Sequence, residues 1–173
     1  MAPGATQSPA PAEPSKPAQT AEPESILLPD RPVLSMTGTA TWEEAEKELG
    51  RSFEQIFAAI REAGLKQAGP PMVEYTESDD ESFGFKAMVP LADEAGDNLP
   101  EDIERGRSPT GRALKFVHRG SFDGLEAVYN KIFDYLAAKN LQVLRVIEEY
   151  PSDPANTPAD KMVTNIYVFT EQP

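Results

Sequence analysis

The sequence predicts an α+β fold in which tandem βαββ repeats form one antiparallel sheet, with two main helices on one face and a central groove. Residues 115–154 contain the best helix and read as strand, tight turn, amphipathic helix and strand. A weaker copy of that order lies in the first half of the chain. The halves align where Phe57 matches Phe133, MVEY matches IEEY and AMVP matches IYVF, so one motif is predicted to occur twice.

Composition narrows the classes of function. The 173 residues suit one domain, and the net charge of −13 argues against nucleic-acid binding, which needs a surplus of Lys and Arg. The acidic balance is typical of a solvated surface, and it also suits cationic ligands or a basic protein partner. The chain has no Cys, which excludes disulfides and thiol nucleophiles. It has no apolar run of about 18 residues, so no membrane span is expected.

Residues 1–26 are predicted to be a disordered tail, because a segment rich in Pro, Ala, Ser and Glu cannot bury enough apolar surface to offset the entropy of ordering. The tail resembles the spacer that follows a cleaved signal or lipid anchor in bacterial envelope proteins. We therefore expect a periplasmic or envelope location if a signal precedes it, and a cytoplasmic location for the chain as it stands. The folded domain is expected to span residues 27–173.

The first repeat is predicted over about residues 30–91. Thr41 and Glu44 fit a capping box at the start of a helix, whose apolar residues recur at spacings of three and four up to Gly64. Gly50 lies inside this pattern and marks a place where the helix could break. Two strands follow, PPMVEYTES and FGFKAMVPL, and the acidic stretch 91–111 is expected to connect the halves.

The second repeat is predicted over about residues 112–171. Alternating residues up to His118 suit a half-buried strand, and Gly120 with Ser121 suits a turn and a helix N-cap. An unbroken apolar stripe then predicts a helix that ends at Asn140. A strand ending in EEY and a closing strand, MVTNIYVF, complete the repeat.

The order of these motifs resembles the GyrI-like small-molecule-binding domain, the effector-binding module that is also fused to AraC-type and MerR-type regulators. The second repeat of that family carries His-x-Gly-x-aromatic, an aromatic-rich helix, Glu-x-Tyr-x-x-Asp-Pro and a closing Thr-Glu-Ile-Tyr strand. The likeness covers about residues 30–170. The chain matches these motifs at His118, Gly120, Phe122, Glu148, Tyr150, Asp153, Pro154, Thr164, Ile166 and Tyr167.

The chain also departs from the family pattern. Asn165 stands where the family carries a Glu that pairs with cationic drugs or effectors, so the resemblance gives less reason to expect a cationic ligand here. Phe169 replaces the Pro that usually follows the closing strand. No helix-turn-helix precedes the domain in this sequence, so a regulator acting directly on DNA is not expected.

The resemblance implies a groove lined by aromatic and polar side chains. Phe116, His118, Asn165 and Tyr167 are predicted to share one sheet face, with other groups coming from the helix and the neighbouring strand. The ligand-binding candidates are Phe116, His118, Tyr129, Glu148, Tyr150, Asn165 and Tyr167. Two alternatives to a ligand-binding role stay open. In one, several of the aromatic residues are simply part of the core. In the other, Glu148 is a solvated carboxylate on an edge strand.

The side chains of Glu148 and Glu149 should point to opposite faces of their strand, so they are not expected to form a general acid/base pair. Glu74 is the approximate counterpart of Glu148 in the first half. His118 is expected to make a local hydrogen bond at a strand end. No metal is predicted, since His118 has no companion ligands. The haem-binding SOUL proteins share the βαββ duplication, but a lone His argues against haem, and no cofactor is expected.

The leading hypothesis is a non-enzymatic, stand-alone GyrI-like domain that binds a planar or amphipathic organic molecule in its groove. A second hypothesis is a hydrolase of small electrophilic compounds that uses Glu148 beside Tyr150 or Tyr167. A third is a protein-interaction module whose acidic surface binds a basic partner.

Overall fold

The computed structural model describes residues 22–152 and 156–171. Most of the predicted tail therefore lies outside the described residues, as do Asp153 and Pro154 of the family motif. The first strand begins at Glu24, so the predicted start of the folded part at Leu27 was too late. Ile26 and Leu28 explain the difference, because they pack against a core cluster built from distant strands.

The described residues form eight strands and two α-helices. The strands are β1 Glu24–Leu28, β2 Pro32–Thr41, β3 Met72–Ser78, β4 Ser82–Pro90, β5 Glu104–Arg107, β6 Gly111–Arg119, β7 Gln142–Glu149 and β8 Val163–Glu171. The helices are α1 Ala45–Glu62 and α2 Leu125–Ala138. A single turn of 3-10 helix precedes each of them, at Trp42–Glu44 and Phe122–Gly124.

The strands form one antiparallel sheet in the order β1-β6-β8-β7-β3-β4-β2-β5. The segments β2-α1-β3-β4 and β6-α2-β7-β8 are two βαββ units, and the sheet is continuous because β3 pairs with β7. The predicted α+β fold class is confirmed.

Two strands at the edges of the sheet were not predicted. β1 precedes the first unit but pairs with β6 of the second, whereas β5 precedes the second unit but pairs with β2 of the first. The stretch 91–111, predicted as a connection, therefore also closes one edge of the sheet. Each unit is therefore extended at its edge by the strand that precedes the other unit in sequence.

Helix α1 follows the predicted pattern. The Oγ1 of Thr41 accepts a hydrogen bond from the backbone N–H of Glu44 at 3.3 Å, so Thr41 caps the 3-10 turn that leads into the helix. The helix continues through Gly50 without a break. It ends before Gly64, whose φ of +69° suits a residue without a side chain.

Both helices cover the same face of the sheet, here called the helix face. Ile56 of α1 packs in a cluster with Val73, and Ile132 of α2 packs in a cluster with Ile166. Val73 and Ile166 flank the same residue of β7, Glu148, on its two sides. Directly opposed residues point to the same face, so the two helices lie side by side on it, as predicted.

The opposite face, here called the far face, has its own core. Ile147 of the central strand β7 clusters with Val33 from β2 and Leu28 from β1. These strands are widely separated in the sheet order, so the sheet must curve to bring them together. Ile147 is completely buried without a helix above it.

No helix within residues 22–152 and 156–171 is both long and apolar enough to cross a membrane.

Candidate functional site

Glu148 lies at the junction of the two units, on the helix face between α1 and α2. Its strand neighbours are Val73 on β3 and Ile166 on β8, both completely buried. The Glu148 side chain is itself only 2% exposed. A carboxylate here is costly unless its oxygens are hydrogen-bonded, because burial removes it from water.

Three tyrosine hydroxyls surround this carboxylate. Tyr75 from β3 and Tyr150 from the end of β7 donate to Oε1 of Glu148 at 3.0 and 2.7 Å. Tyr129 from α2 donates to Oε2 at 2.5 Å. We call these four residues the tyrosine–carboxylate cluster. It draws side chains from both units and from one helix, so it depends on the whole fold being assembled.

The cluster follows the internal symmetry of the chain, with one exception. The alignment of MVEY with IEEY makes Tyr75 equivalent to Tyr150 and makes Val73 equivalent to Glu148. Val73 and Glu148 are also strand partners, so the approximate twofold axis passes between them. The first unit supplies an aliphatic side chain where the second supplies the charge.

Aromatic rings extend outward from the cluster. Tyr150 lies edge-on to Phe53 of α1 and to Phe122, with ring centroids 6.2 and 5.9 Å apart. The ring of Tyr75 is 5.5 Å from that of Phe83.

The aromatic rings reach the protein surface on both sides. On the side of the first unit, Phe83 stacks on Trp42 at 4.4 Å. On the side of α2, Tyr129 lies 6.0 Å from Phe133. Trp42 and Phe133 are about half exposed, at 47% and 49%. Packed aromatic rings therefore connect the half-exposed Trp42 and Phe133 to the buried carboxylate.

No positively charged side chain compensates Glu148. Its hydrogen-bond partners are hydroxyl groups, and none of the ion pairs among the described residues includes it. Burial, and secondly the negative charge of Glu148, raise the pKa of Tyr75, Tyr129 and Tyr150 well above the ordinary tyrosine value. The three hydroxyls therefore stay protonated and remain donors at neutral pH.

The predicted groove is closed in this structure. Glu148 and Tyr150 are 2% and 8% exposed, and the half-buried side chains of Tyr75 and Tyr129 complete the packing around them. A ligand can reach the carboxylate only if some of these side chains move.

The predicted site residues divide between the two faces of the sheet. Phe116 is the strand partner of Ile166, and His118 is the partner of Thr164, so both point to the helix face. Asn165 and Tyr167 alternate with those partners and point to the far face. The prediction that these four residues share one face is therefore wrong. Of the seven candidates, Tyr129, Glu148 and Tyr150 are brought together.

Phe116 and His118 lie on the helix face outside the cluster. Phe116 is 3% exposed and packs edge-on to Tyr135 within the core beneath α2. His118 is 3% exposed, and its Nε2 lies 2.7 Å from the carbonyl oxygen of Ser121. Because a carbonyl only accepts, Nε2 must be the protonated nitrogen. His118 thus makes the local hydrogen bond that was predicted.

Glu149 accepts hydrogen bonds from the two candidates on the far face, Asn165 and Tyr167. Asn165 donates through Nδ2 to Oε1 of Glu149 at 2.8 Å, and the Tyr167 hydroxyl donates to the same oxygen at 2.8 Å. The predicted opposite orientation of Glu148 and Glu149 is confirmed by these separate partners. The prediction that Glu74 is the counterpart of Glu148 is wrong, because Val73 is the equivalent of Glu148 and Glu74 is the equivalent of Glu149. Glu74 lies on the far face, where Arg145 binds both of its oxygens at 2.7 Å.

The sequence interpretation missed Tyr75, and the internal repeat contained the signal to find it. Once Tyr150 is a candidate, the alignment of MVEY with IEEY makes Tyr75 its equivalent. Phe53 gave no comparable signal, because apolar residues on a helix face are also typical of an ordinary core. Phe122 matched the aromatic position of the family motif but was not among the ligand-binding candidates.

Comparisons with known proteins agree with this architecture. Residues 21–169 match the family described as GyrI-like small molecule binding domain. No curated protein sequence matches the chain.

Several solved structures share the fold at low sequence identity. The EcmrR C-terminal domain is 17% identical, with a TM-score of 0.71 over 87% of this chain and 99% of that one. A hydrolase from Listeria innocua is 15% identical, with a TM-score of 0.64 over 87% and 92%. SAV2435 bound to tetraphenylphosphonium is 12% identical, with a TM-score of 0.60 over 87% and 94%. The family match spans most of the sequence, and this chain belongs to the GyrI-like small-molecule-binding domain family.

Proposed function

We propose that this small-molecule-binding domain takes a lipophilic organic cation with aromatic rings, held at the tyrosine–carboxylate cluster. The observation that carries the proposal is Glu148, a buried carboxylate whose partners are neutral hydroxyls and whose surroundings are aromatic. A planar or amphipathic molecule is the ligand type that such a site suits best.

The charge of the ligand follows from electrostatics. A cation placed about 4 Å from this carboxylate gains roughly 4 kcal/mol at an effective dielectric constant of about 20. The rings of Tyr75, Tyr129 and Tyr150 add cation–π attraction at the same place. Asn165 stands where the family carries a Glu, but this difference does not weaken the argument for a cation. Asn165 points to the far face, and the carboxylate of the cluster comes from Glu148.

The exposed aromatic rings give the shape of the ligand. Trp42 on one side and Phe133 on the other are half exposed and offer flat apolar faces for aromatic rings. SAV2435, whose fold is similar, was solved with tetraphenylphosphonium, a cation of this class.

Binding requires the cluster to open. Tyr75 and Tyr129 are the half-buried members, so we expect their hydroxyls to leave Glu148 while Tyr150, more deeply buried, keeps its bond. Hydrogen bonds to a charged group are worth about 1.5–3 kcal/mol each, so losing two of them costs about as much as the cation gains from Glu148. The net affinity must therefore come from the contacts of the ligand with the aromatic rings.

The test is a titration with two ions of the same shape and opposite charge, tetraphenylphosphonium and tetraphenylborate. The fluorescence of Trp42, the single tryptophan, reports binding directly. We expect a saturable change and a raised melting temperature with the cation only. Glu148→Gln should weaken cation binding at least about tenfold, whereas Glu54→Gln, an exposed change of equal charge on α1, should not. Equal binding of both ions would refute the proposal.

A second candidate function is hydrolysis. The short contact between Tyr129 and Glu148 places a hydroxyl donor beside a carboxylate, a pair that could position and deprotonate a water once the cluster opens. A hydrolase from Listeria innocua has a similar fold. Incubation with small epoxides and activated esters tests this candidate, and turnover by the protein that survives unchanged in Glu148→Gln would rule out this mechanism.

A further inference from the structure

His118 occupies a place that the first unit fills in a different way. Its strand partner is Thr164. The alignment of AMVP with IYVF makes this pair equivalent to Gly38 and Phe85, which are strand partners in the first unit. The ring of Phe85 lies over Gly38, where an added Cβ would be 2.9 Å from it. The fold can therefore fill this place on the helix face without a polar side chain.

Stability alone does not explain His118. Its Nδ1 atom and the Oγ1 atom of Thr164 are buried without a hydrogen-bond partner among residues 22–152 and 156–171. A buried polar atom without a partner destabilises a protein, because it has lost its hydrogen bonds to water. An apolar pair like that of the first unit would avoid this cost, so the presence of His118 requires another reason.

The other ring nitrogen of His118 binds the turn that precedes α2. Nε2 donates to the carbonyl oxygen of Ser121 at 2.7 Å, and the N–H of Gly124 donates to the same oxygen at 3.2 Å. A Cβ placed on Gly124 would lie 3.0 Å from Cε1 of His118, so the imidazole packs directly against this turn. His118 therefore contacts the backbone on both sides of Phe122, the first residue of the turn.

The first unit closes its equivalent turn through the cap residue itself. The Oγ1 of Thr41 accepts the N–H of Glu44. Ser121 is the equivalent of Thr41, and its side chain makes no such bond. In the second unit the hydrogen bond from His118 takes the place of that cap.

The aromatic residues that begin the two turns also differ. Trp42 is fixed by its own side chain, because its Nε1 donates to the carbonyl oxygen of Asp79 at 2.9 Å. Phe122 is the equivalent of Trp42, and its ring has no hydrogen-bonding group. The position of the Phe122 ring therefore depends on the backbone that His118 holds.

Phe122 connects this turn to the tyrosine–carboxylate cluster. Its ring lies edge-on to that of Tyr150, with centroids 5.9 Å apart. Tyr150 donates to Oε1 of Glu148 at 2.7 Å and is the tyrosine expected to keep its bond when a ligand enters. A displaced Phe122 would leave the ring of Tyr150 less restrained, and with it the carboxylate that Tyr150 orients.

We propose that His118 is a positioning residue for the candidate ligand site. It does not touch the ligand. It holds the turn before α2, the turn places Phe122 against Tyr150, and Tyr150 orients the carboxylate of Glu148. The effect on ligand binding rests on the proposed function, whereas the placement of the Phe122 ring can be measured without any ligand.

NMR of the ligand-free protein tests the placement of the ring. We expect nuclear Overhauser contacts between the rings of Phe122 and Tyr150 in the unaltered chain. His118→Gln should keep these contacts, because its amide can donate in place of Nε2. His118→Leu, which has no donor, should lose them. Unchanged contacts in His118→Leu would overturn the proposal, whether or not the protein binds a cation.

Titration with tetraphenylphosphonium gives a second comparison. His118→Leu should weaken binding at least about tenfold, and His118→Gln less than about threefold. The melting temperature of His118→Leu should change by less than about 4 °C, because the lost hydrogen bond is offset by the removal of the buried Nδ1. A lowered melting temperature with unchanged affinity would show a merely structural role and overturn the proposal. If the unaltered chain does not bind the cation, the proposed function fails, and the ring contacts alone decide the role of His118.

Two further variants separate positioning from general destabilisation. Phe122→Leu should weaken binding as His118→Leu does, and the double variant should bind no more weakly than either, because one residue acts through the other. Leu136→Val, which loosens the core beneath the end of α2, should lower the melting temperature and leave the affinity unchanged. Additive losses in the double variant would overturn the proposal. If His118→Leu fails to fold by circular dichroism, His118→Met, which also lacks a donor, replaces it in each comparison.

Discussion

Tyr75 and Tyr150 donate to the same oxygen, Oε1 of Glu148, from 3.0 and 2.7 Å, although 75 positions of sequence separate them. They occupy equivalent places in the two βαββ units, so two symmetry-related hydroxyls donate to one atom. The charge at that atom breaks the symmetry, because Val73 occupies the place equivalent to Glu148.

Removing the hydroxyl of Tyr150 should destabilise the fold more than removing that of Tyr75. Both hydroxyls donate to Oε1 of Glu148, but Tyr150→Phe takes away the shorter bond, which comes from the more deeply buried tyrosine, and this costs about 2 kcal/mol. Tyr75→Phe should cost about 1 kcal/mol. Urea unfolding measures both.

The matched control for these two variants is Tyr135→Phe. The Tyr135 hydroxyl has no hydrogen-bond partner among the described residues, so this change should alter the free energy of unfolding by less than about 0.5 kcal/mol. Equal losses for all three variants would mean that the bonds to Glu148 do not stabilise the fold.

The stability of the protein should fall in alkaline solution. The pKa of Tyr75, Tyr129 and Tyr150 is raised above 10.0 in the folded state, first by burial and then by Glu148. Above about pH 10 the unfolded chain loses these protons while the folded chain keeps them. The stabilisation is therefore complete below that pH and is lost as pH rises from there towards the folded-state pKa values.

Each such tyrosine contributes a slope of about 1.4 kcal/mol per pH unit in that alkaline range. Urea unfolding at a series of pH values measures the total slope. Tyr129→Phe should make it shallower by about one proton's contribution. Parallel curves for the variant and the unaltered protein would contradict the raised pKa of Tyr129.

Much of the fold could be predicted from the sequence because its signals are local. The helical spacing of apolar residues and the alternation in the strands depend on neighbours in the chain, and the alignment of the two halves then gives one sheet. The edge strands β1 and β5 could not be predicted in this way. Each is short and polar in part, and each exists because it pairs with a strand of the other unit.

The site was predicted only in part, for a related reason. Tyr129, Glu148 and Tyr150 were predicted to line one groove, and the structure brings these three side chains together on the helix face. Asn165 and Tyr167 were assigned to the same face as Phe116, and this was wrong because the face depends on the register between β6 and β8. A shift of one residue exchanges every side chain between the faces, and register is a tertiary property.

Glu148→Gln should separate binding from stability. The charge of Glu148 has no counterion among the described residues, so replacing it with a neutral amide of the same shape removes an electrostatic cost along with the ionic hydrogen bonds. We expect the free energy of unfolding to change by less than about 1 kcal/mol while cation binding is lost. A loss of several kcal/mol would show that the carboxylate is retained for stability, and the functional argument would lose its support.

Placing a carboxylate on both sides of the approximate twofold axis should destabilise the fold. Val73→Glu places a second carboxylate directly opposite Glu148, at a site that is completely buried. Two like charges as close as strand partners cannot both ionise at low cost, so we expect a loss of at least about 3 kcal/mol at neutral pH. The loss should shrink as the pH falls and one of the two carboxyls takes up a proton.

Val73→Gln is the control that separates charge from shape in this experiment. It adds the same bulk and polarity at position 73 without the second charge, so its destabilisation should not depend on pH in the acidic range. Thermal unfolding of both variants from neutral to mildly acidic pH measures the difference. If the two variants respond alike to pH, the carboxylates do not interact, and the strand pairing of Val73 with Glu148 does not bring their side chains together on the axis.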